Sequence, residues 1–383
     1  MKTYIKLIIL TFLIFFTFIQ KSFCDEKIRI GLVAPLSGEY KDIGDSIIKS
    51  VRLAINKIDD PNIIILPKDS QNDPEIALKV SEELYLKGVK IIIGPVFNSN
   101  VKYLGKLDEV IFISLTNKLE KNPKNVISSG VNALSQINAI KKLQKKLDLK
   151  RSVFLVPDNN YKSEIEKAIS KTKIKLKDKF IYSTDPTKLT AQIEKLTRYD
   201  QRKRNLEDEI NRLKNSDEVN KEKKIENLMK KDTLGGINFD SVIIADFDES
   251  LKSVATSLLY TDVSSKRIVY ICLNQWFDKS LLKEKNLHPI YFPSINKKNY
   301  DTFHNEYFVK YKKYPNQISF LSYDLVGLVY YLIYKNNFSI DKKIFSKKNK
   351  FKGKTGIFEI NNNNITHKLN FYVVEDESFR EIF

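Results

Sequence analysis

The stretch IRIGLVAPLSGEYKDIGDSIIKSVRLAIN, residues 28–56, carries the pattern from which the fold is read. Lys27 to Leu32 opens as a short strand with Ile28, Ile30 and Leu32 apolar, and Ala34 to Gly38 follows as a turn-rich loop. Asp45 to Ile58 then sets Ile47, Ile48, Val51, Leu53, Ala54 and Ile58 near one helical face, and Asn62 to Leu66 returns as a second strand. This strand, loop, helix, strand unit repeats. Pro74 to Lys87 is a helix with Ala77, Val80 and Leu84 inward, and Val89 to Ile93 is a strand. Val101 to Glu109 reads as helix and Val110 to Ser114 as a fourth strand. Short, wholly apolar strands alternating with amphipathic helices predict a parallel sheet covered on both faces.

Beyond Gly130 the alternation restarts: helix over Ser135 to Leu147, strand at Ser152 to Val156, helix over Ser163 to Ser170 and strand near Lys179 to Tyr182. Asp240 to Ala245 and Ile268 to Leu273 are further strands, with the helix Ser250 to Tyr260 between them. A second α/β layer is therefore expected, and 383 residues are enough to bury two cores. Tyr199 to Met229 breaks the pattern. It is dense in charges of both signs, and Tyr199, Lys203, Leu206, Ile210 and Leu213 stand at heptad spacing. The reading is a helical hairpin inserted at 198–234, either a solvated pair or an arm for docking a protein.

Residues 1–24 fit a secretory signal peptide: Lys2 and Lys6, an apolar run from Leu7 to Ile19, and a small-residue exit at Ser22 and Cys24. Phe23 is too bulky for the site preceding a lipid-modified cysteine, so lipoprotein anchoring at Cys24 is not expected. Cleavage there leaves Cys272 as the sole cysteine, so no intramolecular disulfide is expected. No later stretch approaches the roughly 20 apolar residues of a membrane span. The net charge of +18 is mostly lysine spread along the chain, which argues against nucleic acid and leaves open steering toward an acidic polymer.

Catalytic patterns are missing. His288, His304 and His367 lie in unrelated contexts without metal-ligand spacing, there is no GxSxG elbow or phosphate-binding GxxxxGK[ST] loop, and Cys272 sits in an apolar strand. The reading is a non-enzyme with no cofactor and no metal.

The opening stretch resembles that of type I periplasmic binding proteins of the leucine, isoleucine and valine group. The resemblance rests on Pro35 to Gly38 and Gly44, on Asp69 and Pro74, on IIIGPV ending at Val96, on LVPDNNY ending at Tyr161 and on SYD at Ser322 to Asp324. A further resemblance, to penicillin-binding protein activators of α-proteobacterial type, rests on DTLGGINFDSVIIADF (232–247), NQWFD around Trp276, YPNQISFLSYDLVGL ending at Leu328, and FKGKTGIFEI with HKLNFYVV. Chains of that subgroup can carry a larger N-terminal helical domain, which is not expected here.

The resemblance implies a periplasmic, two-lobed α/β fold, each lobe a mainly parallel sheet flanked by helices. The first lobe is expected from 25–130 with 293–360 and the second from 131–292 with 361–383, crossed near Gly130, Pro293 and residue 360. Ligand-binding candidates lie in loops past the strand carboxyl ends. They are Ser37, Asn98, Ser99, Asn100, Thr116 and Asn117 in the first lobe, and Tyr161, Asp246 and Trp276 in the second. For each polar loop residue, turn formation or helix capping is the competing role. Asn274 and Asp248 also fall in these loops, but only Asp246 stands where a carboxylate could meet a ligand's ammonium. That thin acidic provision argues against a free amino acid. Two partners are implied: a small solute delivered to an inner-membrane ABC permease, or a cell-wall synthase regulated by contact.

Overall fold

The computed structural model describes residues 27–119, 122–341, 343–361 and 363–383. The leader read at residues 1–24, Cys24 included, lies outside them.

The first sheet holds β1 (Ile28–Ala34), β2 (Ile63–Asp69), β3 (Ile91–Ile93), β4 (Ile111–Ser114) and β5 (Val126–Ser128), all parallel, in the order β2-β1-β3-β4-β5. Helices α1 (Lys41–Ile58) and α2 (Pro74–Leu86) connect its first strands. Asp73 caps α2 by accepting from the Glu75 and Ile76 amides, and Pro74 fills the first helical position, where no amide is needed.

The second lobe begins with α3 (Ala133–Lys146), β6 (Ser152–Pro157), α4 (Lys162–Thr172), β7 (Asp178–Tyr182) and α5 (Pro186–Thr197). The expected hairpin follows as α6 (Tyr199–Lys214) and α7 (Lys221–Met229), which pack on each other. Then come β8 (Ser241–Ile244), α8 (Asp248–Tyr260), β9 (Val269–Cys272), β10 (Ile290–Ser294) and α9 (Lys297–Tyr311). Phe303 and Tyr307 of α9 bury in the second core beside Phe154, Ile243 and Phe292.

The chain then re-enters the first core with α10 (Gln317–Lys335), which lies along α1 and buries Leu321, Leu325, Leu328 and Val329. A small antiparallel sheet, β11 (Asn349–Gly353), β12 (Gly356–Asn361) and β13 (Asn364–Lys368), sends Phe358, Ile360 and Ile365 into the same core. Finally β14 (Asn370–Glu375) and β15 (Ser378–Glu381) join the second sheet, ordered β15-β14-β10-β9-β8-β6-β7, with β14 antiparallel to β10 and the rest of β6 to β10 parallel. Crossings between the cores therefore fall after β5, between α9 and α10, and between β13 and β14. The second and third lie later than the expected Pro293 and residue 360, because β10 and α9 complete the second lobe before the chain returns.

One expected helix is absent. In place of a helix over 101–109, the chain forms two short 3-10 turns, Asn98–Val101 and Leu104–Lys106. Asn125 Nδ2 takes the carbonyls of Leu104, Leu107 and Val110 at 3.0, 2.9 and 3.1 Å, acceptors that a continuous helix would need. No helix among the described residues is long and apolar enough to cross a membrane.

Candidate functional site

Both large sheets contain the same device. In β2-β1-β3-β4-β5 the winding reverses between β1 and β3, and in β7-β6-β8-β9-β10 it reverses between β6 and β8. At such a point the loops leaving the carboxyl ends of neighbouring strands diverge and open a crevice. The first crevice is flanked by Leu36 to Gly38 and Val96 to Asn98, the second by Asp158 to Tyr161 and Ala245 to Phe247.

On the first side, Asp69 at the end of β2 holds the loop after β1. Its Oδ1 accepts from the amides of Leu36 and Gln71, both at 2.8 Å. Partial burial would raise this carboxyl, but the Ser37 hydroxyl and the backbone amides outweigh it and keep the pKa low. The Ser37 hydroxyl is thus engaged with Asp69 at the rim. Gly44 lets the loop lie on α1, since a Cβ there would sit 1.9 Å from the Pro35 carbonyl oxygen. Gly94 is required for a second reason: its φ is +113° and a Cβ would meet the Val33 oxygen at 2.0 Å. It turns the chain from β3 into the next loop, where Phe97 packs on Tyr40 at 4.7 Å.

Asn98 follows, and its Oδ1 is buried with no hydrogen-bond partner among the described residues. Asn100 is spent elsewhere, donating to Asn72 Oδ1 at 3.0 Å, and exposed Ser99 donates to Asn100. Past β4, Thr116 is buried with its hydroxyl accepting from the Lys118 amide, while Asn117 is exposed. These two lie one strand from the crevice.

On the second side, the Tyr161 hydroxyl is buried and also without a partner, and burial, helped by the Glu164 charge, holds its proton on. Asp246 is buried at the end of β8. Tyr182, from the end of β7, reaches past β6 and donates to Asp246 Oδ2 at 2.6 Å, and the Phe247 amide donates to Oδ1 at 3.1 Å. Burial raises the Asp246 pKa against these two donors, and no cation pairs with it among the described residues. Past β9, Asn274 Oδ1 accepts from the Trp276 amide and the Ser294 hydroxyl, while its Nδ2 is a third buried atom with no partner among the described residues.

The two sides face each other. Trp276 and Tyr323 pack against both cores, and the Leu119 amide from the first lobe donates to Glu164 Oε1 of α4 at 2.9 Å. The sequence pointed to the loops but not to Tyr182, which reads as an ordinary strand residue; its place at a strand end beside an acidic loop was the available signal. The set offers acceptors at Asn98 and Asp246, a donor at Asn274 and either at Tyr161. Among the described residues no group of three or more His, Cys, Asp or Glu could hold a metal. Cys272 is fully buried and its thiol is pushed up by burial, as expected of core.

Residues 27–196 match the family model for periplasmic binding protein. No curated protein sequence matches the chain. Among solved structures, a branched-chain amino acid ABC transporter periplasmic ligand-binding protein of Burkholderia xenovorans aligns with a TM-score of 0.64 at 12% identity, over 93% of this chain and 94% of that one. An ABC transporter substrate-binding protein of Desulfitobacterium hafniense in complex with Leu gives 0.61 at 12%, over 93% and 99%. The C-domain of LpoA from Haemophilus influenzae, a regulator of PBP1A, gives 0.59 at 12%, over 93% and 100%. The resemblance to type I periplasmic binding proteins read from the sequence thus holds in the fold: two lobes, each with a parallel sheet flanked by helices.

Proposed function

We propose that this chain, folded as the type I periplasmic binding proteins are, works in the periplasm as a non-catalytic binding protein that encloses a small polar solute between its lobes. The observation that carries the reading is the set of buried polar atoms unpartnered among the described residues, Asn98 Oδ1 and the Tyr161 hydroxyl at the two switch points and Asn274 Nδ2 one strand beyond the second. Leaving a buried donor or acceptor unpaired costs about 1–3 kcal/mol each, a cost that a polar solute pairing with these atoms would remove.

Asp246 narrows the solute class. It is a buried carboxylate without a cation among the described residues, and an ammonium or amide placed beside it would remove the cost of its burial. This supports an amine-bearing solute, such as an amino acid or a derivative, over an anionic one, and softens the objection that sequence alone raised. Delivery to an ABC permease is the accompanying role. Thermal-shift screening of amino acids, their amides and short peptides tests the reading. A ligand at about a hundred times its Kd stabilises by roughly 2.7 kcal/mol and raises the Tm. No shift from any amine-bearing solute at millimolar concentration would remove it.

One observation favours a second role. The α6–α7 arm leaves the second lobe with Val219 81% and Met229 63% exposed, and the fold is shared with the LpoA C-domain. Under that reading the arm docks a cell-wall synthase, and its excision abolishes co-purification with that enzyme while the cleft keeps its solute.

A further inference from the structure

The small antiparallel sheet has a second face that the fold does not use. Phe358, Ile360 and Ile365 point into the first core, and alternation sends their neighbours outward. Lys350, Glu359 and Thr366 stand in register across the three strands, with Lys368 opposite Ile357. Facing them is α3, whose Ser135, Asn138, Lys142 and Lys145 follow at spacings of three and four and so share one helical face. The two surfaces enclose a cavity of about 430 Å³ beside the first crossing between the lobes.

The walls are tied together at one end only. The His367 amide donates to Ser135 Oγ at 2.9 Å, Asn132 Nδ2 donates to the Ile365 oxygen at 2.9 Å, and His367 Nε2 lies 2.7 Å from the Ser129 oxygen. Away from that tie the lining is cationic. Lys350 pairs with Glu359 at 3.3 Å, and Lys141 is turned to the Thr172 oxygen at 2.6 Å. The side chains of Lys142, Lys145 and Lys368 are exposed and have no ion pair or hydrogen bond among the described residues. These three like charges border one hollow from two separate elements, so their positive potentials add there.

We infer that this cavity binds a molecule carrying two or more phosphate groups. Ammonium groups on flexible stems meet phosphate as point charges from several directions, which suits a lining built from lysines of a helix and a sheet. Three uncompensated charges call for a polyanion. Because α3 packs in the second core and the sheet in the first, the bound anion bridges the lobes. This site is independent of the cleft, and its failure would leave the solute-binding reading untouched.

The test uses the full chain without its leader at near-physiological salt. Calorimetric titration with sodium tripolyphosphate forms one arm and flotation with vesicles containing cardiolipin, whose headgroup carries two phosphates, the other. The variant K142Q/K145Q/K368Q is compared with K195Q/K310Q/K313Q, which removes the same net charge elsewhere; circular dichroism checks that both fold. We expect saturable binding in the parent and the control, weakened at least about tenfold in the cavity variant. That pattern in the tripolyphosphate arm assigns a free phosphate ligand, and in the vesicle arm alone a lipid headgroup. Equal weakening in both variants, or no saturable binding in either arm, overturns the inference.

Discussion

Arg202 is a buried charge with no carboxylate in hydrogen-bond contact among the described residues; it is held by neutral oxygens, with Asp262 one Thr233 hydroxyl away. Its guanidinium donates to the Thr197 carbonyl at 3.0 Å, the Thr233 hydroxyl at 3.0 Å and the Thr261 carbonyl, so it clamps the root of the α6–α7 arm to the second lobe. Replacing it with Met takes this donor from the Thr197 and Thr261 carbonyls, while the Thr233 hydroxyl keeps its bond to Asp262 Oδ2, and is expected to cost about 2–4 kcal/mol in urea unfolding. Two other buried groups set opposite pH slopes. Burial pushes His367 down to about 4, so its contribution is complete above the unfolded value near 6.5 and is lost as pH falls through 4. Burial pushes Asp324 up to about 6 despite donors from Thr355 and Lys354, so its contribution is complete below the unfolded value near 4 and is lost as pH rises through 6. Relative to the parent, His367→Gln should therefore lose stability as pH rises from 4 to 6.5, and Asp324→Asn as pH falls from 6 to 4, each by about 3 kcal/mol in denaturant titrations. In the cleft, Tyr161→Phe removes an unpaired buried hydroxyl. It should leave the empty protein as stable or up to about 1 kcal/mol more so, yet weaken solute binding. Sequence places Tyr161, Asp246 and Asn98 in loops past the strand ends. That a given atom lacks a partner is a property of the packed structure, which no spacing reveals.

At the scale of elements, the arm is separable from the core. The Leu234 amide donates to the Arg202 carbonyl at 2.9 Å, so the chain returns to its point of departure, and α7 buries no residue fully. Excising residues 204–232 with a two-glycine link should keep the Arg202 clamp and change the Tm by less than about 4 °C. A larger fall would mean that the arm is part of the second core. Elements with a strong local pattern were legible: α1 has its apolar stripe, and β3 its unbroken run of three isoleucines. Those defined by distant partners were not. The helix expected over 101–109 yields to Asn125, which lies beyond it in sequence, and the antiparallel sheet depends on pairings that local alternation alone does not reveal. The short strand β5 offers only three residues, too few for any period to show.

For the whole molecule, the decisive feature is that two sheets of like strand order present their switch points to each other, with three chain crossings between the cores. The alternation after residue 28 and its restart after Gly130 make that architecture readable, because βαβ winding is local and repeats. The closing contacts are not readable, since Leu119 with Glu164, and Trp276 against both cores, join residues far apart in the chain. If the lobes close on a solute as rigid bodies about those crossings, closure changes the surroundings of Trp276 more than those of any residue deep in either core. The chain holds a single tryptophan, so its fluorescence reports the cleft without labelling. The most direct measurement is a titration of that emission with amine-bearing solutes, in the parent chain and in Asp246→Ala. Enclosure of a solute between the lobes predicts a saturable change in the parent, shifted at least about tenfold to higher concentration when the carboxylate is removed. An emission that does not respond to any such solute up to millimolar concentration, or that saturates identically in both chains, would contradict it.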